Sequence, residues 1–163
     1  GSTRRVEIKR NTPREEATKL AYIAKDGTFY FSAASIPGTM KNAGSNHKSV
    51  GSRKSLRHVV PAAVSMMVDG VTILNGKGPA KDFEVDSRPV TIPATKGRIM
   101  RHRPRFEQWG AKFDLLVDDD MLSVELAHQL LNEAGMSYGI GDFRPEKGGP
   151  FGRFRVVSWK EAK

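Results

Sequence analysis

The chain has 163 residues and a mass of 18.0 kDa, the size of one domain with appendages. It carries 27 Lys and Arg against 18 Asp and Glu, for a formal net charge of +9 and a pI near 10.0. The absence of Cys excludes a disulfide framework, thiolate metal sites and a Cys nucleophile; no apolar run approaches the ~18 residues of a membrane span and no signal peptide is evident, so the chain reads as soluble and cytoplasmic with no membrane partner. Gly1-Ser2 reads as the scar of a removed tag, leaving 3–163 as a single domain.

Arg4 to Arg10 alternates apolar and charged residues and predicts a short strand. Thr12-Pro13 followed by Glu15 and Glu16 is a helix-start pattern, so a short helix runs to about Leu20. Ala21 to Phe31 reads as a hairpin, because Asp26-Gly27 supplies the positive φ of a tight turn between two apolar arms. Ser35 to Gly44 predicts a helix with Pro in its first turn. The Gly, Ser, Asn and Lys of 42–55 predict a mobile basic loop. A buried strand is expected over Ala62 to Val68, a turn at Asp69-Gly70, and a second strand to Leu74, with a helix over Leu56 to Ala63 as the alternative, which Pro61 argues against extending.

Phe83 to Ile92 alternates, with an irregularity near Pro89. Trp109 to Val117 places Trp109, Ala111, Phe113, Leu115 and Val117 on one face, the clearest half-buried strand pattern in the chain. Asp118-Asp119-Asp120 introduces a helix from about Met121 to Ala134, whose apolar stripe is Leu122, Leu126, Leu130, Leu131 and Ala134 and which Gly135 stops. A last strand is expected over Phe151 to Trp159. Strands and helices mixed in this way make the chain α+β.

The charge is segregated. Residues 106–135 hold one basic and seven acidic side chains, a net of −6, which leaves +15 on the remainder. Two long stretches contain no carboxylate. Residues 27–68 hold Lys41, Lys48, Arg53, Lys54 and Arg57; residues 87–106 hold Arg88, Lys96, Arg98, Arg101, Arg103 and Arg105, with His102 among them. Such segregation creates a positive field on one side and attracts polyanions, nucleic acid above all. The 138–154 segment adds five closely spaced glycines, together with Arg144, Lys147 and Arg153. Glycines let backbone N–H groups approach a phosphate, and arginine pairs it. Phe143, Tyr138 and Trp109 offer stacking faces.

Ile36-Pro37-Gly38-Thr39-Met40-Lys41 and the glycine-rich loop from Gly139 to Gly152 resemble the two signatures of the repeat-associated RNA-binding (RAMP) superfamily, which includes backbone subunits of CRISPR effector complexes. With Asp86-Ser87-Arg88-Pro89 and Arg101-His102-Arg103-Pro104-Arg105, the chain also looks like phage and prophage proteins. Phe151 to Val156 faintly resembles the aromatic-bearing strand of RNA-recognition modules. The resemblance implies a ferredoxin-like (RRM-like) β-α-β-β-α-β core elaborated by hairpins, residence in a bacterial host cell, binding of single-stranded RNA or DNA, and assembly of copies along the strand.

Catalysis has little support. His47 and His58 flank the basic loop and are the candidate acid–base residues of a metal-independent endoribonuclease, with Tyr22 or Tyr30 as partner. No triad order, zinc signature or nucleotide-hydrolysis motif is present. Consecutive aspartates at 118–120 rarely converge on one ion, so neither metal nor cofactor is assigned. The reading is a non-catalytic single-strand-binding protein. Its rivals are the endoribonuclease and an assembly protein that meets an acidic protein partner.

Overall fold

A computed structural model describes residues 11–49, 51–76, 78–142 and 144–161. The expected strand at 4–10 and the side chain of Phe143 lie outside this set. Among the described residues the fold is mixed α+β. In chain order it comprises α1 (Pro13–Leu20), β1 (Tyr30–Ser32), α2 (Ser35–Gly44), a 3-10 turn (Leu56–His58), α3 (Val60–Ala63), β2 (Val64–Ser65), β3 (Gly70–Thr72), β4 (Glu84–Thr91), β5 (Arg98–Arg105), β6 (Leu116–Val117), α4 (Val124–Ser137) and a second 3-10 turn (Pro145–Lys147). The strands pair in twos: β1 with β3, β2 with β6 antiparallel, and β4 with β5 antiparallel. No described helix is long and apolar enough to cross a membrane.

The chain divides into two compact units, one from residues 1–30 and 72–111 and the other from 31–71 and 112–163. In the first, Thr12 caps α1 by accepting from the Glu15 N–H, and Pro13 opens the helix where its missing N–H costs nothing. The 21–30 hairpin forms: Ile23 bridges Phe29, and Gly27 at φ 83° makes its turn. Phe29 and Phe83 are buried and meet edge to face at 5.4 Å, and Phe106 packs on Phe29 at 5.3 Å. Arg14 lies 4.0 Å over the Phe83 ring, donates to the Phe83 carbonyl at 2.7 Å and ion-pairs with Asp82. These contacts pin α1 to the segment that leads into β4.

The second unit is built on two helices. Ile36, Met40 and Ala43 of α2 pack with Ala127, Leu130, Leu131 and Ala134 of α4. Small residues on both helices allow close approach, while Leu130 and Met40, wholly buried, each contribute roughly 1.5–3 kcal/mol of burial. The helix expected over 35–44 is found with those bounds. α4 begins later than expected, at Val124, because Ser123 rather than the aspartates caps it by accepting from the Leu126 N–H. It also continues past Gly135 to Ser137, and Gly139 at φ 70° ends it with its N–H on Ala134 O.

Several extended segments differ from expectation. Residues 60–63 are helical, the alternative for 56–63, with Pro61 tolerated in the first turn, and of the expected 62–68 strand only Val64–Ser65 forms. Of the alternating run at 109–117, the period of two holds for burial from residue 111 on, since Ala111, Phe113, Leu115 and Val117 are half-buried and the residues between them exposed, yet backbone pairing is confined to an isolated bridge of Gly110 with Leu74 and to Leu116–Val117. Residues 151–159 form no strand. Phe154 N–H donates to Gly135 O and Val156 N–H to Asn132 Oδ1, so this segment lies along α4, which offers no free backbone ladder. Trp159 stacks on His128 at 4.5 Å with the rings 3° from parallel.

Close approach decides this packing. A Cβ on Gly135 would stand 2.2 Å from Phe154 O, and a Cβ on Gly152 would stand 1.7 Å from Ile140 O at a residue whose φ is 82°. Gly141, also at positive φ, has open space around it. Gly152→Ala should therefore lower stability by more than about 2 kcal/mol, and Gly141→Ala by about 1 kcal/mol, as read by chemical denaturation; equal losses would show that the 152–140 approach is not tight.

Candidate nucleic-acid interface

In the first unit the expected basic cluster lies on the β4–β5 hairpin. The register is continuous from Glu84↔Arg105 to Thr91↔Arg98, without a bulge at Pro89. Side chains alternate across the ladder, so Glu84, Asp86, Arg88 and Val90 share a face with Arg105, Arg103, Arg101 and Ile99. A run that lacks carboxylates in sequence therefore acquires them in space. Glu84 stands opposite Arg105 and Asp86 opposite Arg103; Arg88 Nε is 3.0 Å from both oxygens of Asp86, and Arg105 lies 3.9 Å from Glu107. Arg88, Arg103 and Arg105 are thus engaged within the protein. Arg101 is half-buried, and its Nε is buried with no hydrogen-bond partner among the described residues. Lys96 and Arg98, next to the hairpin turn, are exposed and make no ion pair among the described residues. On the opposite face Ser87 Oγ and His102 Nδ1 share a hydrogen bond of 2.7 Å. Trp109 is half-buried and engaged internally.

The Arg14–Asp82 pair has an electrostatic signature. Hydrogen bonding from Arg14 holds the Asp82 carboxyl below its usual value, helped by the Phe83 N–H and by the Arg14 charge. The ionised carboxylate then favours the fold above its unfolded pKa of about 3.9, and this contribution is lost as pH falls through the lower folded value. A carboxyl NMR titration should find the Asp82 midpoint below about 3.9 and should find it returned toward that value in Arg14→Gln; a midpoint indifferent to this change would remove Arg14 as the cause.

In the second unit the basic segment after α2 is a narrow turn. Leu56 N–H donates to His47 O, Lys48 bridges Ser55, and Ser49 N–H donates to Lys54 O. Lys48, Arg53 and Lys54 project from it exposed, with no ion pair among the described residues. The base of the turn is held to α4. His47 Nε2–H donates to Glu133 Oε2 at 2.7 Å, and Asn46 Nδ2 donates to Glu133 Oε1 at 3.2 Å and to the Tyr138 hydroxyl at 2.9 Å. His58 is exposed on the 3-10 turn. Tyr22 and Tyr30 belong to the first unit and pack on each other at 5.6 Å.

The two motifs behind the family resemblance meet in this unit. Thr39, buried in α2, donates its hydroxyl to Gly139 O at 2.8 Å. Beside this contact opens a cleft of about 210 Å³ lined by Ser35, Gly38, Thr39, Asn42, Gly139, Ile140, Gly141 and Arg144. Arg144 donates from Nη1 to Gly141 O at 3.0 Å and from Nε to Glu146 Oε2 at 2.9 Å. Asn42 Nδ2 donates to the same Glu146 oxygen at 2.9 Å, while Asn42 Oδ1 accepts from Arg57 at 3.4 Å. Lys147 and Arg153 are exposed, Lys41 is half-buried, and none of the three has an ion pair among the described residues. Phe151, in the same loop, is half-buried.

Asn42, Asn46, Glu133 and Glu146 did not stand out in sequence. Their partners lie between 15 and 104 residues away, apart from the Arg144–Glu146 pair, and Asn and Glu in polar segments carry no periodic signal. The three aspartates 118–120 are exposed and their carboxylate oxygens lie within 4.8 Å of one another; the Asp120 N–H donates to Asp118 Oδ1, the geometry of a turn. Comparison with protein-family models, with curated proteins and with solved structures finds no match.

Proposed function

We propose that this protein binds single-stranded nucleic acid without cleaving it, and that copies assemble along the strand. The observation that carries the reading is the distribution of cations that have no carboxylate partner among the described residues. Lys48, Arg53 and Lys54 stand on one exposed turn of the second unit, and Lys96 and Arg98 stand beside the hairpin turn of the first. Uncompensated cations gathered on turns suit a flexible polyanion, whose condensed counterions are released on binding. Arg57, Arg101, His102, Lys147 and Arg153 extend the two surfaces.

The RAMP-like identity and the ferredoxin-like core belong to this proposal. Their support is partial: in the second unit β1 and α2 are followed by α3, β2 and β3, and β6 by α4 and the 151–159 segment, which is extended but forms no strand. The antiparallel β2–β6 pair and the packing of α2 on α4 support the reading, while β1 pairs with β3 in a separate two-stranded sheet. A bacterial or phage setting, and residence in the cytoplasm, rest on the resemblance alone.

The test is fluorescence anisotropy with labelled single-stranded RNA, single-stranded DNA and duplex DNA at several salt concentrations. About six phosphate contacts give a log–log salt slope near −4 on single strands, and replacing Lys48, Arg53 and Lys54 together by Ala should flatten it by about 2 without moving the melting temperature. Equal weak binding to all three probes would sink the reading in favour of a protein partner.

A further inference from the structure

The hydrogen-bond geometry around Glu146 resembles that of a bound anion. A single carboxylate oxygen, Oε2, accepts from Arg144 Nε at 2.9 Å and from Asn42 Nδ2 at 2.9 Å. The Asn42 amide is turned to donate here because its own oxygen accepts from Arg57. Two arginines and an amide thus converge, directly or through one relay, on a single oxygen atom. Charge-assisted donors arranged about one oxygen are what a phosphate oxygen also requires. Asn42 and Arg144 both line the cleft against Gly141, whose surroundings are open enough to admit a ligand.

We propose that this cleft is a phosphate site whose donors are held in place by the chain's own Glu146, and that a phosphate group binds by displacing that carboxylate from Arg144 and Asn42. The inference rests on the strand-binding reading, from which it takes a backbone phosphate as the ligand. Glu146 sets the affinity of the site. It keeps the donors organised in the free protein and weakens anion binding by competition. The Arg144 and Glu146 side chains are 27% and 29% exposed, so the exchange needs only side-chain rotation and no opening of the core.

The chemistry is open to free phosphate as well as to a strand, and the experiment separates them. Labelled single-stranded RNA and DNA are titrated by anisotropy, and inorganic phosphate is titrated while the Gly141 amide and the Arg144 Nε signals are followed by NMR. Glu146→Gln removes the competing charge and should tighten strand binding about three- to tenfold, steepening the salt slope by about 0.7 for one further phosphate contact. Glu125→Gln makes the same charge change in the first turn of α4, about 20 Å of helix away from Gly139, and should alter affinity less than twofold. Asn42→Ala should weaken binding while the melting temperature confirms folding.

If wild type binds strands and Glu146→Gln binds them no more tightly, the displacement idea falls and the strand-binding reading stands. If wild type binds no strand, yet inorganic phosphate moves Gly141 and Arg144 and does so at lower concentration in Glu146→Gln, the site stands and the strand-binding reading falls. If phosphate moves neither signal in either protein, the site is overturned.

Discussion

The backbone of residues 152–156 runs so close to the end of α4 that no side chain fits between them. Gly135 admits Phe154, and Gly152 admits Ile140. The constraint is steric, and it fixes the second unit. With the returning segment seated on α4, Ile140 N–H reaches Gly152 O and Phe154 N–H reaches Gly135 O. The intervening loop then closes on itself, and Arg144 folds back onto Gly141. Thr39 ties the base of that loop to α2 through a buried hydrogen bond whose loss would leave a polar group without a partner in the core. The cleft and its converging donors follow from this backbone path.

Charge has a different logic on each unit. On the hairpin, antiparallel pairing sets Glu84 and Asp86 against Arg105 and Arg103. Their effect is to withdraw arginines from the surface field and leave Lys96 and Arg98 as its open part among the described residues. On the second unit no carboxylate answers Lys48, Arg53 or Lys54 among the described residues. At the base of that turn His47 and Asn46 are bound by Glu133, so the acidic helix serves as the anchor of the basic turn. The acid–base candidate His47 and the stacking candidate Tyr138 are therefore partnered within the fold, His47 with Glu133 and Tyr138 with Asn46.

Local signals were legible where they were self-contained. Thr12-Pro13 marked α1, Asp26-Gly27 marked the hairpin turn, and the apolar stripe marked α4, because each depends on neighbours within one or two turns. Alternation at 113–117 correctly told which side chains are half-buried. It did not tell which backbone groups would find a partner strand, because burial and ladder formation are separate requirements. The 151–159 segment makes the same point: it buries Phe154 and Val156 partly, against a helix that has no edge to offer.

By itself the sequence determined the α+β character, the basic balance with its carboxylate-free stretches, and the glycine-rich loop, since composition and short-range pattern suffice for these. Only the tertiary structure decided which cations remain open, which glycine serves a turn and which a close crossing, and that Asn42, Arg57, Arg144 and Glu146 form one network. Gly135 shows the reason. In sequence it reads as the end of a helix, whereas in the fold it lies inside one and serves a strand of chain 19 residues further on, at Phe154. Contacts between segments far apart in the chain depend on where the backbone returns, and no local pattern encodes that return.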